Sequence, residues 1–266
     1  MAIYYERADL AERLRKRTDS GQSLLMMGCG SGLSAISAEQ GGADLISVYA
    51  TAVLRMEGIP TVVSLLPYSD CNDITYRKAE IILPLVKETP CIAGVGAHAP
   101  FLDLDRHLER LRAIGFSGVV NEPFAAGYGP AFAENLERAG CGFSREIELI
   151  ALAHEKDLFT AAWCSTPEEA RRMAEAGADM IGVVLFGKFD GMDGAIQALK
   201  AVTEAARAVR SDVLVLAHGG PFHDPDTARA AVGSCYADGY ACGSNGERVC
   251  AEEAIRANAA RYRDLK

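Results

Sequence analysis

Eight short apolar runs, separated by polar stretches with helical periodicity, constrain the fold of this chain more than any other feature. They are SLLMMGC (23–29), LISVY (45–49), CIAGVGA (91–97), GVVN (118–121), FTAAWC (159–164), MIGVVLF (180–186), VLVLAH (213–218) and GYACG (239–243). Runs that are apolar throughout, with no alternation, suit strands buried on both faces, and such strands belong to parallel sheets covered by helices. Eight strand–helix units predict a closed (β/α)8 TIM barrel, and the absence of a linker-like stretch predicts a single domain over residues 1–266. The 266 residues, 49% of them apolar, are enough to bury such a core. Residues 1–22 are charged and read as a short N-terminal helix ahead of the first strand.

Local chemistry supports this partition. Thr166-Pro167-Glu168-Glu169 reads as a capping box with proline in the first turn. Asp224-Pro225 starts a helix in the same way. AEQGGADLISV (38–48) and AEAGADMIGV (174–183) share one pattern: helix end, glycine, Ala-Asp, strand. The two copies lie four units apart, as in a barrel built from related halves.

Charge and cysteine content narrow the function. The net charge of −9 argues against nucleic acid and anionic membranes as partners, while leaving a small anionic substrate open. The charged start MAIYYERADLAERLRKR lacks the apolar core of a signal peptide. No apolar run reaches the roughly 18 residues that a membrane-spanning helix needs. Eight cysteines, at 29, 71, 91, 141, 164, 235, 242 and 250, form no C-x-x-C pair. They read as reduced, mostly buried thiols and point away from structural zinc. The cytoplasm is the expected compartment, and a homo-oligomer is the expected state.

In this fold the chemistry sits on the loops that follow the strands. Strand 7 ends in LAHGGPFHD (216–224), where His218 stands at the strand end before two glycines. An imidazole there suits general base or hydrogen-bonding work. Gly219 and Gly220, with Gly243, Ser244 and Asn245 after strand 8, are candidates to bind a phosphate or carboxylate, the second group by opening the last helix. Glu122 directly follows strand 4, where a carboxylate must be solvated, paired or metal-bound. Cys29, Tyr49 and His98 end strands 1, 2 and 3. His107 and His154 read as surface residues on helices. His223, in the loop, has no assigned role.

The connection 50–73 is long, shows no obvious helix, and reads as a lid. From it Arg55 would close over an anion. Asp70 and Asn72 could ligate a divalent ion or cap the next helix. The second long connection, 123–143, is expected to cross the site or serve subunit contact. None of the eight runs contains lysine, which counts against a Schiff-base aldolase.

GCGSGLSA (28–35), GGADLI (41–46), LLPYSDCN (65–72), ILPLVKETPCIAGV (82–95), GFSGVVN (115–121), ENLERAGCGFSREIELI (134–150), HGGP (218–221) and GSNGER (243–248) together resemble the phosphoenolpyruvate hydrolase-like family. That family is also described as TIM-barrel signal-transduction proteins. The resemblance covers roughly residues 4 to 263 and implies a barrel related to the phosphoenolpyruvate-binding ones. Three places depart from the family pattern. The segment after strand 2 is Ala50–Arg55 instead of an Asn-Ser-Gly-Arg-like one. Glu122 replaces an apolar residue, and GSNGER replaces an A-S-S-x-E-R pattern. The K-K-C-G-H-like loop of the wider isocitrate lyase group is missing.

These readings lead to an enzyme cleaving a C–C, C–P or C–O bond of a 2-oxo or 3-oxo acid. Glu122 and His218 would share the acid/base work. Mg²⁺ or another divalent metal would suit such a substrate, and no organic cofactor is implied. The alternatives are a phosphosugar isomerase or aldolase barrel, and a non-catalytic barrel that binds a metabolite for regulation.

Overall fold

The computed structural model describes residues 2–66 and 69–265. Every apolar run contains a strand: β1 (Leu24–Gly28), β2 (Leu45–Val48), β3 (Cys91–Gly94), β4 (Gly118–Val120), β5 (Phe159–Cys164), β6 (Met180–Val184), β7 (Leu214–His218) and β8 (Gly239–Cys242). They pair in parallel in chain order, and β8 closes on β1, with Met26 opposite both Leu45 and Ala241. The helices are α1 (Arg7–Asp19), α2 (Gly32–Gln40), α3 (Ala50–Met56), α4 (Cys71–Ile82), α5 (Leu104–Ile114), α6 (Pro130–Arg138), α7 (Phe143–Glu155), α8 (Pro167–Glu175), α9 (Gly191–Val209), α10 (Pro225–Gly233) and α11 (Arg248–Arg263).

Three apolar clusters hold the barrel. One fills its interior, with Leu24, Met26, Leu45, Ile92, Phe159, Met180 and Leu214 among its members. The other two lie between sheet and helices. The N-terminal helix α1 belongs to the interior: Leu10, Ala11 and Leu14 pack on those side chains. Tyr5 N–H donates to Ser117 Oγ at 3.0 Å and Arg7 Nη1 to Asp179 at 3.0 Å, both just ahead of strands, so α1 covers the N-terminal end of the barrel. A helix of 13 residues is marginal alone. Burying Leu10 and Leu14, each worth about 1.5–3 kcal/mol, is what seats it.

The matched Ala-Asp segments have matched contacts. Asp44 accepts from Leu25 N–H on β1 at 2.8 Å, and Asp179 from Thr160 N–H on β5 at 3.1 Å. Asp238, ahead of β8, accepts from Val215 N–H on β7 at 2.7 Å. Each aspartate ties the start of an even strand to its odd neighbour.

The two predicted proline-led helix starts are present, one of them with an adjustment. Asp224 forms a capping box with Thr227. Thr166 accepts from Glu169 N–H, but the Glu169 carboxylate reaches Ser165 N–H, one residue before the cap, so that box is incomplete. The connection 50–73 is not an irregular lid. It begins with α3 and continues through a 3-10 turn at Thr61–Leu65, while its Pro67 and Tyr68 lie outside the described residues. No side chain caps α3 and its seven residues include two β-branched ones, so the usual helix signals are absent. GSNG does not open the last helix: Ser244–Gly246 is a 3-10 turn, and α11 starts after Glu247.

His107 is buried against Tyr76, with ring centroids 5.2 Å apart, and His154 is half-buried beneath Gly177, so neither is a surface residue. All eight cysteines are free, but only Cys29, Cys91 and Cys164 are buried. No helix among the described residues is long and apolar enough to cross a membrane.

Candidate active site

The mouth at the strand C-termini is floored by two aromatic rings. Tyr49, just past β2, lies across Gly28 and Gly94, and a Cβ at either glycine would overlap it. Trp163 on β5 lies against Gly182 of β6 in the same way. Glycine is needed at these positions because a ring occupies the space of the missing side chain.

Arg55 lies at the centre of this site. It is only 5% exposed and is held on α3. Its Nη2 donates to Tyr49 Oη at 2.9 Å, and Nη1 has no hydrogen-bond partner among the described residues. Burial works against its charge, but Tyr49, Glu122 and Glu247 outweigh that and strengthen its hold on the proton. Burial pushes the Tyr49 hydroxyl up to about 12, so it stays protonated.

Glu122 follows β4 after Asn121 and precedes a cis Glu122–Pro123 peptide. Its carboxylate is half-buried and accepts from Thr51 Oγ1, on the same helix as Arg55, at 2.9 Å. Burial pushes its pKa up to about 7, against the pull of Thr51 and Arg55. At neutral pH this one group is therefore available both as a base and as an acid.

His218 closes the other side. Its Nδ1 lies 2.7 Å from Ala241 C=O, and a carbonyl only accepts, so Nδ1 carries the proton and Nε2 is the basic nitrogen. Its ring packs on Trp163 at 4.7 Å between centroids. Burial and the nearby Arg55 lower its pKa, outweighing the Ala241 hydrogen bond, so it is neutral at pH 7.

Arg55, His218, Gly219, Gly243, Ser244 and Asn245 line one cavity of about 250 Å³. These residues, predicted from three separate loops, thus converge. Gly220 does not line it; its φ of +54° and its close approach to Leu185 C=O explain that glycine. His223 is a further wall residue. Cys29 is buried, its thiol pushed far up by burial and by Glu247, which does not suit a nucleophile. Asp70 caps α4 through Asn72 and Asp73 N–H, whereas Asn72 is buried and clamps both N–H and C=O of Gly96 after β3. His98 lies beyond, half-buried, its pKa lowered by burial.

Two carboxylates here escaped the sequence reading. Glu146 on α7 is 3% exposed; it accepts from Asn121 Nδ2 at 2.6 Å and from Ala125 N–H at 2.5 Å, bracing both sides of Glu122. Burial pushes it up to about 8. Glu247 accepts from Gly30 N–H and Ser34 Oγ through Oε1, joining the loops after β1 and β8, while Oε2 is buried without a partner. Glu146 sits in step with Leu149, Ile150 and Ala153, an apolar helical stripe that could have revealed it. No comparable pattern marks Glu247.

Glu146→Gln places an NH₂ group against one of two backbone or amide donors. It is expected to lower stability by about 1–3 kcal/mol, the cost of a buried unpaired donor. Chemical unfolding of both proteins at pH 7 measures this; equal stability would mean that Glu146 braces nothing.

Comparison with known proteins places this geometry in context. A family model described as phosphoenolpyruvate hydrolase-like matches residues 9–265. The ToMV resistance protein Tm-1(GCR237) of Solanum lycopersicum is 34% identical over 98% of this chain. This chain spans only 36% of that protein's length. Among solved structures, phosphonopyruvate hydrolase in complex with oxalate and Mg²⁺ superposes with a TM-score of 0.67 at 19% identity, over 96% of this chain and 87% of that one. Oxaloacetate acetylhydrolase with the inhibitor 3,3-difluorooxalacetate gives 0.66 at 18%, over 98% and 88%. These two likenesses bear on the fold.

No three His, Cys, Asp or Glu side chains converge on a metal position among the described residues. Mg²⁺ is commonly held by one or two carboxylates, with water and substrate oxygens completing its shell, and Glu122 is the half-buried carboxylate this mouth offers it. The charge of Arg55 acts on both Glu122 and Glu247.

Proposed function

The chain belongs to the phosphoenolpyruvate hydrolase-like family, and from that premise we propose that it is an enzyme that hydrolyses a C–C or C–P bond of a small oxo acid. The observation that carries this reading is Glu122: a carboxyl group with a pKa near 7, fixed by Thr51, within the electrostatic reach of a buried arginine at the barrel mouth. The substrate carboxylate binds at the cavity formed by Arg55 and the loops after β7 and β8. Arg55 Nη1 and Nε, both without a partner among the described residues, are the donors left for it.

For a 3-oxo acid the step is hydrolytic. Ionised Glu122 takes a proton from water, and the water oxygen adds to the keto carbon. The bond from that carbon to the neighbouring CH₂ then breaks. Its electron pair leaves as the enolate of the carboxylate-bearing fragment, stabilised by Arg55. Protonated Glu122 returns the proton to the CH₂ carbon of that enolate, so one oxo acid and one water give two carboxylic acids. His218, neutral with Nε2 free, accepts a hydrogen bond from the water and orients it.

A turnover panel tests the reading: oxaloacetate, phosphonopyruvate, phosphoenolpyruvate and acetoacetate, with and without Mg²⁺, for wild type, Glu122→Gln and His218→Ala. Equal turnover of one substrate by all three proteins would overturn the site assignment. A second reading, a regulatory barrel that binds a metabolite without turnover, draws on the tomato relative, a ToMV resistance protein. It predicts a metabolite-dependent rise in melting temperature with no product formed.

Self-association and a reducing compartment complete the proposal. None of the residues of α11 is buried, and its Ile255 and Tyr262 are each 69% exposed, so this helix is the surface proposed to meet a second copy. Light scattering is expected to give a mass at least twice that of the chain; a monomer at micromolar concentration would refute it. The eight free thiols fit the cytosol.

A further inference from the structure

A larger cavity, of about 730 Å³, lies on the opposite side of the mouth from the Arg55 pocket, among the loops that follow β2, β3 and β4. Its apolar wall includes Ala99, Pro100, Pro123, Tyr128, Phe132 and Leu136. The last four come from the connection 123–143, which holds a 3-10 turn and α6.

Two contacts join this cavity to the reacting centre. Pro123 is the residue next to Glu122. Ser64, also in its wall, has Oγ 3.1 Å from Thr51 Oγ1, the hydroxyl that holds the Glu122 carboxylate. Among the described residues, no lysine or arginine lines it. Its ionisable wall groups bring no positive charge: Asp70 is acidic and occupied in capping α4, burial keeps His98 neutral, and burial pushes the Cys71 thiol and the Tyr128 hydroxyl up to about 12. The space therefore suits an uncharged, apolar group and repels a second carboxylate. Its volume lies within the range of small-molecule sites, about 300–1,000 Å³, whereas the Arg55 pocket alone falls below it.

We infer that this cavity holds the alkyl or aryl substituent of the substrate, so that the preferred oxo acid is a 3-oxo acid with an apolar chain of several carbons on its keto side. This rests on the reading above. The carboxylate lies at Arg55, the keto carbon at Glu122, and the chain beyond Pro123. It sets this site apart from one shaped for oxaloacetate or phosphonopyruvate, whose ends are both anionic.

The test compares acetoacetate, 3-oxohexanoate, 3-oxooctanoate and 3-oxodecanoate on the full chain, wild type beside Phe132→Asp. In wild type, kcat/KM is expected to rise roughly threefold per added methylene, mainly through KM, the transfer gain of a CH₂ group. In Phe132→Asp the ratio of kcat/KM for 3-oxodecanoate to that for acetoacetate falls at least tenfold. Turnover of all four acids at equal kcat/KM overturns the inference and leaves the hydrolytic reading standing. Turnover of none of these four, nor of oxaloacetate, phosphonopyruvate or phosphoenolpyruvate, overturns the hydrolytic reading, and the cavity is then judged by thermal shift with hexanoate, octanoate and decanoate. A shift that grows with chain length and is lost in Phe132→Asp upholds an apolar ligand site; no shift overturns it. A change of oligomer mass in Phe132→Asp also overturns it, since the wall would then be covered by a second copy.

Discussion

Arg55→Met is expected to lower kcat/KM for an oxo acid by about 10²- to 10³-fold, as when a preorganised donor to a developing oxyanion is removed. Most of the loss falls on kcat, because the guanidinium meets more charge in the enolate than in the ground-state substrate. Part falls on KM, because the same group anchors the carboxylate. Arg55→Lys should recover little: an ammonium cannot donate to Tyr49 and to an anion from one planar fork. Losing the charge also makes Glu122 and Glu247 harder to ionise, since Arg55 lowers the pKa of both. The acid limb of the pH–rate profile should therefore move to higher pH in the methionine variant. Steady-state kinetics from pH 5 to 9, with a melting curve to confirm folding, measures both effects. A loss below about fivefold would remove Arg55 from the chemistry.

Glu122→Gln is expected to lower kcat by about 10²- to 10⁴-fold with little change in KM, the usual range for a general acid/base. The wild-type rate should rise with pH through about 7, where the carboxylate ionises, while the residual rate of the glutamine variant should lack that limb. Stability carries an opposite signature. The folded protein holds the Glu122 proton more tightly than the unfolded chain, whose value is 4.5, so this contribution is complete below pH 4.5 and is lost as pH rises to about 7. Glu146 acts in the same direction up to about 8. Glu122→Gln removes one of these penalties, so its melting temperature should match or exceed wild type at pH 8. The pairing of a crippled rate with unimpaired stability separates a catalytic group from a structural one. A variant that loses both together would argue for structure.

The barrel was legible because eight apolar runs and the polar stretches between them leave few other packings. The runs overshoot the strands at their C-terminal ends: CIAGVGA continues past Gly94, for instance, because Val95 and Ala97 remain buried where the loop folds over the mouth. Among candidate site residues, those at strand ends were chosen from position alone. Arg55 was selected but placed on a mobile lid, because α3 carries no cap and is too short for periodicity to show. His107 and Glu146 were misjudged or missed for one shared reason. Each is a polar residue on the apolar stripe of its helix, His107 beside Leu104, Leu108 and Leu111, where periodicity announces burial and residue type argues for exposure. The convergence on Arg55 was beyond sequence reading, since it depends on which loops barrel closure brings together.

The helix across the base of the barrel has a consequence for traffic. With Leu10 and Leu14 packed into the strand N-termini, the interior is stoppered at one end and built over with aromatic rings at the other. Whatever occupies the mouth has a single doorway. In the proposed reaction, a reactant and the fragments made from it pass the same threshold in turn, beside the Arg55 cavity on one flank and the apolar chamber on the other. The order of departure is then set by which flank releases its fragment first: the anion held by a guanidinium, or the chain held only by its exclusion from water.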